Sequence, residues 1–129
     1  MKSAHPQANA MLDALIEAAP QAVSVAELKP DLQILLATSM SGITSLHTMP
    51  RPLTTNPGPT PVASPLARYQ VAQGLPITTL HHATLNVEDA TDRKLIGLLD
   101  GSRTLGGLKR IPDLRARLLR LAKFGLLVA

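Results

Sequence analysis

Residues 61–103 read PVASPLARYQVAQGLPITTLHHATLNVEDATDRKLIGLLDGSR, and this stretch decides the fold. From Ile77 to Val87 apolar residues alternate with mostly polar ones, which predicts a half-buried strand or strand pair. Residues 88–99 then follow a helical period, and Gly101 is the natural residue to end that helix. The inner face of the predicted helix consists of Leu95, Ile96, Leu98 and Leu99.

The C-terminal residues add a further helix and a last strand. For residues 104–110 the sequence predicts no more than a short, weak helix, because two adjacent glycines disfavour helix formation. Residues 112–124 predict a strong helix that ends at Gly125, and residues 126–128 predict a strand. Because a helix-turn-helix followed by a strand is how a winged helix begins, we predict that residues 76–129 form a winged-helix unit. The apolar seam of its last helix is Leu114, Leu118 and Leu121.

Residues 1–49 carry a similar plan and predict a first winged-helix-like unit. An apolar stripe over residues 8–19 indicates one helix, Ser24 caps a short second one, and Pro30 opens a third. Residues 43–47 would form a short strand. Two unrelated three-helix clusters are the alternative to two related winged-helix-like units. The predicted buried side chains are Met11, Leu12, Leu15 and Ile16 on the first helix, and Leu32, Leu35, Leu36 and Met40 on the third.

A proline-rich segment separates the two predicted units. Residues 50–65 contain six prolines, which favour an extended, stiff connector over a helix or a central strand. Ser64 and Pro65 then predict the start of a short helix, so the connector is expected over residues 50–75. The fold class predicted from these elements is α+β, mostly α.

Composition excludes several classes of function. Tyr69 and Phe124 are the only aromatic residues, so the chain lacks the stacking faces that bind single-stranded nucleic acid. There is no cysteine, which excludes disulfides and thiolate metal sites. No apolar run is long enough to span a membrane or to resemble a signal peptide, and the expected location is the cytoplasm.

Charge is concentrated in the C-terminal third of the chain. Residues 86–129 hold nine lysines and arginines against five acids, whereas residues 1–50 are acidic on balance. On the last predicted helix, cations recur on the side opposite the leucine seam and form the predicted binding surface. The simpler interpretation is that these cations form a solvated helix face. The functional alternatives are contact with an acidic patch of a protein and contact with DNA. The residues of this surface are Arg115, Arg117, Arg120 and Lys123.

Part of the sequence resembles a known family. The runs at 63–68, 77–78 and 98–103 carry the likeness, together with single residues between them. They are similar to the C-terminal region of bacterial, SAM-dependent protein lysine methyltransferases, of the kind described as methyltransferase regulatory domains. The resemblance implies a winged-helix module that regulates a methyltransferase or positions its substrate, with SAM bound in a separate catalytic domain. The single residues are Gln70, Ala72, Gly74, Leu80, His82 and Leu85.

We predict no catalytic, cofactor-binding or metal-binding residue in this chain. It is too short to be the SAM-binding domain itself, and it lacks the glycine motif that such a domain would need. His81 and His82 are adjacent on a predicted strand and point to opposite faces, so they cannot hold one ion together. The expected partner is a methyltransferase catalytic domain in the same chain or its protein substrate. Two alternatives are a free-standing DNA-binding regulator and a winged helix that binds an extended peptide at its sheet edge.

Overall fold

A computed structural model describes residues 5–129 of the chain. The chain divides into two compact units, residues 1–50 and residues 51–129. The described part is mostly helical, with one two-stranded antiparallel sheet. Among the helices of residues 5–129, none has the length and apolar character needed to cross a membrane.

In the first unit three helices lie in the order α1 (Pro6–Ala18), α2 (Val25–Leu28) and α3 (Leu32–Met40). The Ser24 hydroxyl accepts a hydrogen bond from the Ala26 N–H at 3.2 Å, so the predicted cap of α2 is confirmed. Helix α3 is capped by Asp31, whose carboxylate accepts hydrogen bonds from the N–H groups of Gln33 and Ile34. The helix therefore starts after Asp31, and Pro30 precedes its cap.

The strand predicted at residues 43–47 is wrong. The N–H groups of Ile43 and Thr44 both donate to the carbonyl of Thr38, at 2.9 and 3.2 Å, and so close the end of α3. The Thr44 hydroxyl also lies 3.1 Å from the Thr38 hydroxyl. Because these groups serve the helix end, they are not available for strand pairing. Residues 5–50 contain no strand, and a winged-helix character of this unit is not confirmed.

Much of the apolar surface predicted to be buried in the first unit is exposed. On α3 only Leu35 is buried, and Ile16 on α1 is also largely exposed. Helix α3 has no charged residue and is apolar around much of its circumference, so periodicity does not select one inner face. The described core of this unit is small: Ala8, Met11 and Leu35. The exposed residues of α3 are Leu32, Leu36 and Met40, at 75%, 59% and 81%.

The second unit contains α4 (Pro65–Ala72), β1 (Ile77–Thr78), β2 (Thr84–Leu85), α5 (Ala90–Leu98) and α6 (Leu114–Lys123). The strands form an antiparallel hairpin in which Ile77 pairs with Leu85, so the predicted strand pair is confirmed. Gln70 joins α4 to β1: its side chain accepts from the Thr78 N–H at 2.7 Å and donates to the Thr78 hydroxyl.

A single aliphatic core holds these elements together. The predicted inner face of α5 and the predicted seam of α6 both pack in this core, or against it in the case of Leu98 and Leu114. Ala67 forms the buried face of α4, whereas Leu66 and Tyr69 are exposed. Residues 104–110 form turns and contribute the buried Leu108. The core residues are Ala63, Ala67, Ile77, Leu95, Ile96, Leu99, Leu108, Leu118, Leu121, Ala122, Leu126 and Leu127.

The proline-rich segment is part of this second unit, so the predicted connector over residues 50–75 is not confirmed. Leu53 bridges to Val128, and Ala63 bridges to Leu127, both in antiparallel fashion. Pro61 is fully buried. The prolines lack N–H groups, but the residues between them supply the bonds: the Ser64 N–H donates to the Leu126 carbonyl at 2.8 Å. The predicted last strand, residues 126–128, exists as these bridges to the proline-rich segment.

Candidate interaction surface

Helix α6 carries the predicted binding surface, and its local sequence explains its orientation. Leu118, Leu121 and Ala122 are buried in the core of the second unit, which turns the charged residues outward. Gly125, with φ of +69°, ends the helix and allows the chain to turn into residues 126–128. The helix therefore presents its cations to solvent or to neighbouring acids, as its amphipathic sequence predicts.

Two of the four predicted cations form ion pairs with acids at the start of α5: its cap, Asp89, and Asp92 in its first turn. The Arg117 guanidinium lies 2.8 Å from the Asp89 carboxylate and 2.5 Å from the Asp92 carboxylate. Arg120 pairs with the second oxygen of Asp92. Only 7% of the Asp92 side chain and 16% of the Arg117 side chain are exposed. This cluster joins the start of α5 to α6, so Arg117 is engaged by acids within the second unit.

Within this cluster, hydrogen bonding favours the charged states of Asp89 and Arg117. Hydrogen bonding from Arg117 lowers the pKa of Asp89 from 3.8 to about 2, helped by the N–H groups of Thr91 and Asp92. The same contacts, first with Asp89 and then with Asp92, raise the pKa of Arg117. Asp89 also caps α5 by accepting from the Thr91 N–H at 2.7 Å. The Asp89 carboxylate thus both caps α5 and forms an ion pair with Arg117 of α6.

Arg115 and Lys123, the other two predicted cations, are exposed and make no ion pair within residues 5–129. The structure therefore divides the four predicted cations into two that form ion pairs with acids and two that are exposed without an ion pair in the described residues. Lys123 lies in the last turn of α6, where a cation is favoured by the helix dipole. Arg115 lies in the first turn, beside a groove.

This groove is the feature that the sequence did not reveal. It has a volume of about 600 Å³ and lies between the proline-rich segment, the turn at 104–110 and α6. Four leucines and two prolines form most of its lining, with Lys109 and Arg115 as the charged members. It brings together residues far apart in sequence, so periodicity alone could not predict it. The lining residues are Asn56, Pro57, Gly58, Pro59, Leu105, Lys109, Leu114, Arg115, Leu118 and Leu119.

The two adjacent histidines have separate environments at the hairpin. Nδ1 of His81 lies 2.6 Å from a guanidinium nitrogen of Arg51, and its ring packs next to Gly125. His82 has a φ of +63° and occupies the turn between β1 and β2. Within residues 5–129 no three histidine, aspartate or glutamate side chains are grouped to hold a metal ion.

Similarity to known proteins agrees with this fold. Residues 60–123 match the family model described as "PKMT, C-terminal winged helix domain". Among solved structures, PKMT2 from Rickettsia typhi superposes with a TM-score of 0.72 over 95% of this chain, at 15% identity. The same protein in complex with AdoHcy superposes with a TM-score of 0.69 over the whole chain, also at 15% identity. Among curated proteins no sequence matches this chain.

The extent of these similarities defines what they show. This chain covers 35% of the Rickettsia typhi protein, and at 15% identity that likeness concerns the fold. The family match falls within the second unit, on the segment that runs from the proline-rich residues to the end of α6. Residues 60–123 of this chain are therefore similar to the C-terminal winged helix domain of the PKMT family.

Proposed function

We propose that this chain is a noncatalytic module of a SAM-dependent protein lysine methyltransferase, which regulates the enzyme or holds its protein substrate. The observation that carries this proposal is the family match over residues 60–123. The partner is a methyltransferase catalytic domain, in the same chain or as a separate chain, or the protein that it methylates. SAM is bound by the catalytic domain, and no residue of this chain is assigned to it. A bacterial, cytoplasmic setting is part of the same proposal.

The proposed contact is electrostatic and centres on α6. Arg115 and Lys123 are exposed cations without an ion pair in the described chain, and Arg120 is half exposed beside Asp92. Their fields attract a carboxylate-rich protein surface, and such contacts set orientation and association rate more than affinity. The buried leucine seam keeps the helix rigid, so the cations are presented at constant spacing. The module thereby positions the lysine of the substrate relative to the catalytic domain.

The test begins with the source gene. Reading the coding frame and neighbouring genes around Met1 identifies the catalytic domain, which is then produced with and without this chain. The rate at which a labelled methyl group is transferred from SAM to protein lysine should fall about tenfold without the chain. A tenfold change is typical of the coupling between two sites of a regulated protein. Equal rates with and without the chain would show that the proposed function is wrong.

Charge reversals locate the contact. Arg115→Glu and Lys123→Glu should each weaken binding of the chain to the catalytic domain or substrate, with a stronger effect at low salt. Lys94→Glu is the matched control, because Lys94 is an exposed cation on α5, outside α6. If all three reversals have the same effect, the contact depends on net charge and does not involve a surface on α6.

DNA binding is the second candidate, and the ion pairs reduce its support. In a DNA-binding winged helix, several arginines of this helix would contact phosphates and base edges. Here Arg117 is largely buried and shared between Asp89 and Asp92, so few free cations remain. We therefore expect weak duplex binding with a shallow dependence on salt. A steep decrease of affinity with salt, reflecting six or more phosphate contacts, would favour the DNA reading instead.

A further inference from the structure

We infer that the groove between the proline-rich segment and α6 binds an acidic amphipathic helix of a protein partner. The inference deepens the proposed function, on which it rests for the source of that helix: the methyltransferase or its substrate. The groove volume of about 600 Å³ is typical of binding sites that take up apolar groups. Its occupant must match a leucine-rich lining and two cations.

The apolar part of the groove is exposed enough to contact a partner. Leu118 at its base is buried in the core, whereas Leu119 and Leu105 at its sides remain 42% and 39% exposed. Leu119 and Arg115 are four residues apart on α6 and therefore lie on the same side of that helix. A partner that covers Leu119 thus meets Arg115 as well.

The charges of the groove select an acidic partner. Lys109 and Arg115 line it, the lining contains no acidic residue, and neither cation forms an ion pair within the described chain. Carboxylates on the flanks of an apolar stripe would therefore be attracted, and lysines or arginines would be repelled.

The backbone of the groove wall favours a helix over an extended strand. Pro57 and Pro59 have no N–H group, and the Gly58 N–H already donates to the Asn56 side chain at 3.2 Å. The Pro59 carbonyl accepts from the Leu105 N–H at 3.1 Å. A strand added at this wall would find few backbone partners, so binding must come from side chains. Insertion of apolar side chains spaced at i, i+3, i+4 and i+7 is the helix-in-groove mode.

A pair of designed peptides tests the inference on the whole chain. The first is a labelled helix of about 18 residues with leucines at the spacing above and glutamates on the flanks, long enough to form helix in water. The second replaces every glutamate by lysine. Fluorescence anisotropy should show saturable binding of the acidic peptide, weaker at high salt, and at least about tenfold weaker binding of the basic one. Equal binding of both peptides, or binding of neither, would overturn the inference.

Variants connect that binding to the groove. Leu119→Glu should weaken binding of the acidic peptide by about tenfold or more, because a carboxylate enters the apolar contact and repels the peptide. The double variant Lys109→Glu with Arg115→Glu should weaken it to a similar extent without altering the leucines. Leu66→Glu is the matched control, since Leu66 is 51% exposed on α4 and does not line the groove. Circular dichroism verifies that each variant is folded.

The possible failures are distinguishable. If Leu119→Glu binds as well as the wild type, or if Leu66→Glu is equally harmful, the groove is not the site. If the chain binds a short DNA duplex through Lys109 and Arg115 but not the acidic peptide, the inference is wrong and the groove contacts nucleic acid. If the acidic peptide binds as expected while methyl transfer is independent of the chain, only the proposed function fails. If methyl transfer depends on the chain but no peptide binds, only the groove inference fails.

Discussion

Substitution of Gly125 by alanine tests whether the end of α6 is packed as the structure shows. Gly125 follows α6 with a φ of +69°, and its carbonyl accepts a hydrogen bond from the Leu80 N–H at 2.8 Å. A Cβ atom at this position would lie 2.6 Å from Cδ2 of His81 and 2.8 Å from its Nε2. The imidazole cannot move away at no cost, because its Nδ1 is 2.6 Å from the Arg51 guanidinium.

Two separate costs follow from this geometry. An alanine with positive φ costs about 1 kcal/mol, through the contact of its Cβ with the carbonyl oxygen. Overlap with the imidazole ring adds about 1–3 kcal/mol, as is usual when a group is forced into a packed site. We therefore expect Gly125→Ala to lower the free energy of unfolding of the second unit by about 2–4 kcal/mol.

Gly74→Ala is the control that separates the two costs. Gly74 has nearly the same φ, +71°, but an added Cβ there meets no atom within 4 Å. This variant should lose about 1 kcal/mol only. Thermal unfolding followed by circular dichroism should place Gly125→Ala below Gly74→Ala, by about 4–8 °C for each additional kcal/mol. If both variants melt at the same temperature, the contact between Gly125 and His81 does not exist in solution and the reasoning is refuted.

Further predictions concern the ion cluster and the first unit. Asp92→Ala should destabilise the second unit by about 1–3 kcal/mol in urea titrations, because two arginines lose a buried acceptor. A loss of stability as small as that expected for an exposed aspartate would contradict the ion cluster. The lowered pKa of Asp89 adds stability above pH 3.8 that disappears as the pH falls to about 2. Asp89→Asn should remove that part of the acid dependence, and an unchanged pH profile would argue against the ion pair. Leu35→Ala should lower the free energy of unfolding of the first unit by about 2–3 kcal/mol, because Leu35 is buried. Leu36→Ala, at a neighbouring exposed position, should lower it by under about 0.5 kcal/mol. Equal losses of stability would contradict the burial seen in α3.

The C-terminal helices were predictable because their signals are local. In α6 the leucine seam repeats at helical spacing and Gly125 ends the helix, so pattern and structure agree within two residues. In α5 the inner face was likewise predicted, but Asp92 was not singled out. An acid at that position is normally solvated, and its burial became visible only when two arginines of another helix were placed beside it.

The errors have a common physical cause. The proline-rich segment was expected to be a connector because its composition resists helix and central strand. It nevertheless pairs with residues 127–128, since an edge strand needs only the N–H groups between its prolines. In the first unit, the strand predicted at 43–47 does not form, because the N–H groups of residues 43 and 44 are hydrogen-bonded at the end of α3. In both cases the decisive bonds involve partners that composition does not indicate.

The sequence by itself determined the helices and the hairpin of the second unit, because periodicity, caps and turn glycines act over a few residues. It also carried the resemblance that the family match over residues 60–123 supports. Only the tertiary structure decided which cations of α6 form ion pairs with acids near the start of α5 and which do not. It also decided that residues 56–59 meet α6 across a groove. These features depend on contacts between residues far apart in the chain, whose distances are set by packing of the common core.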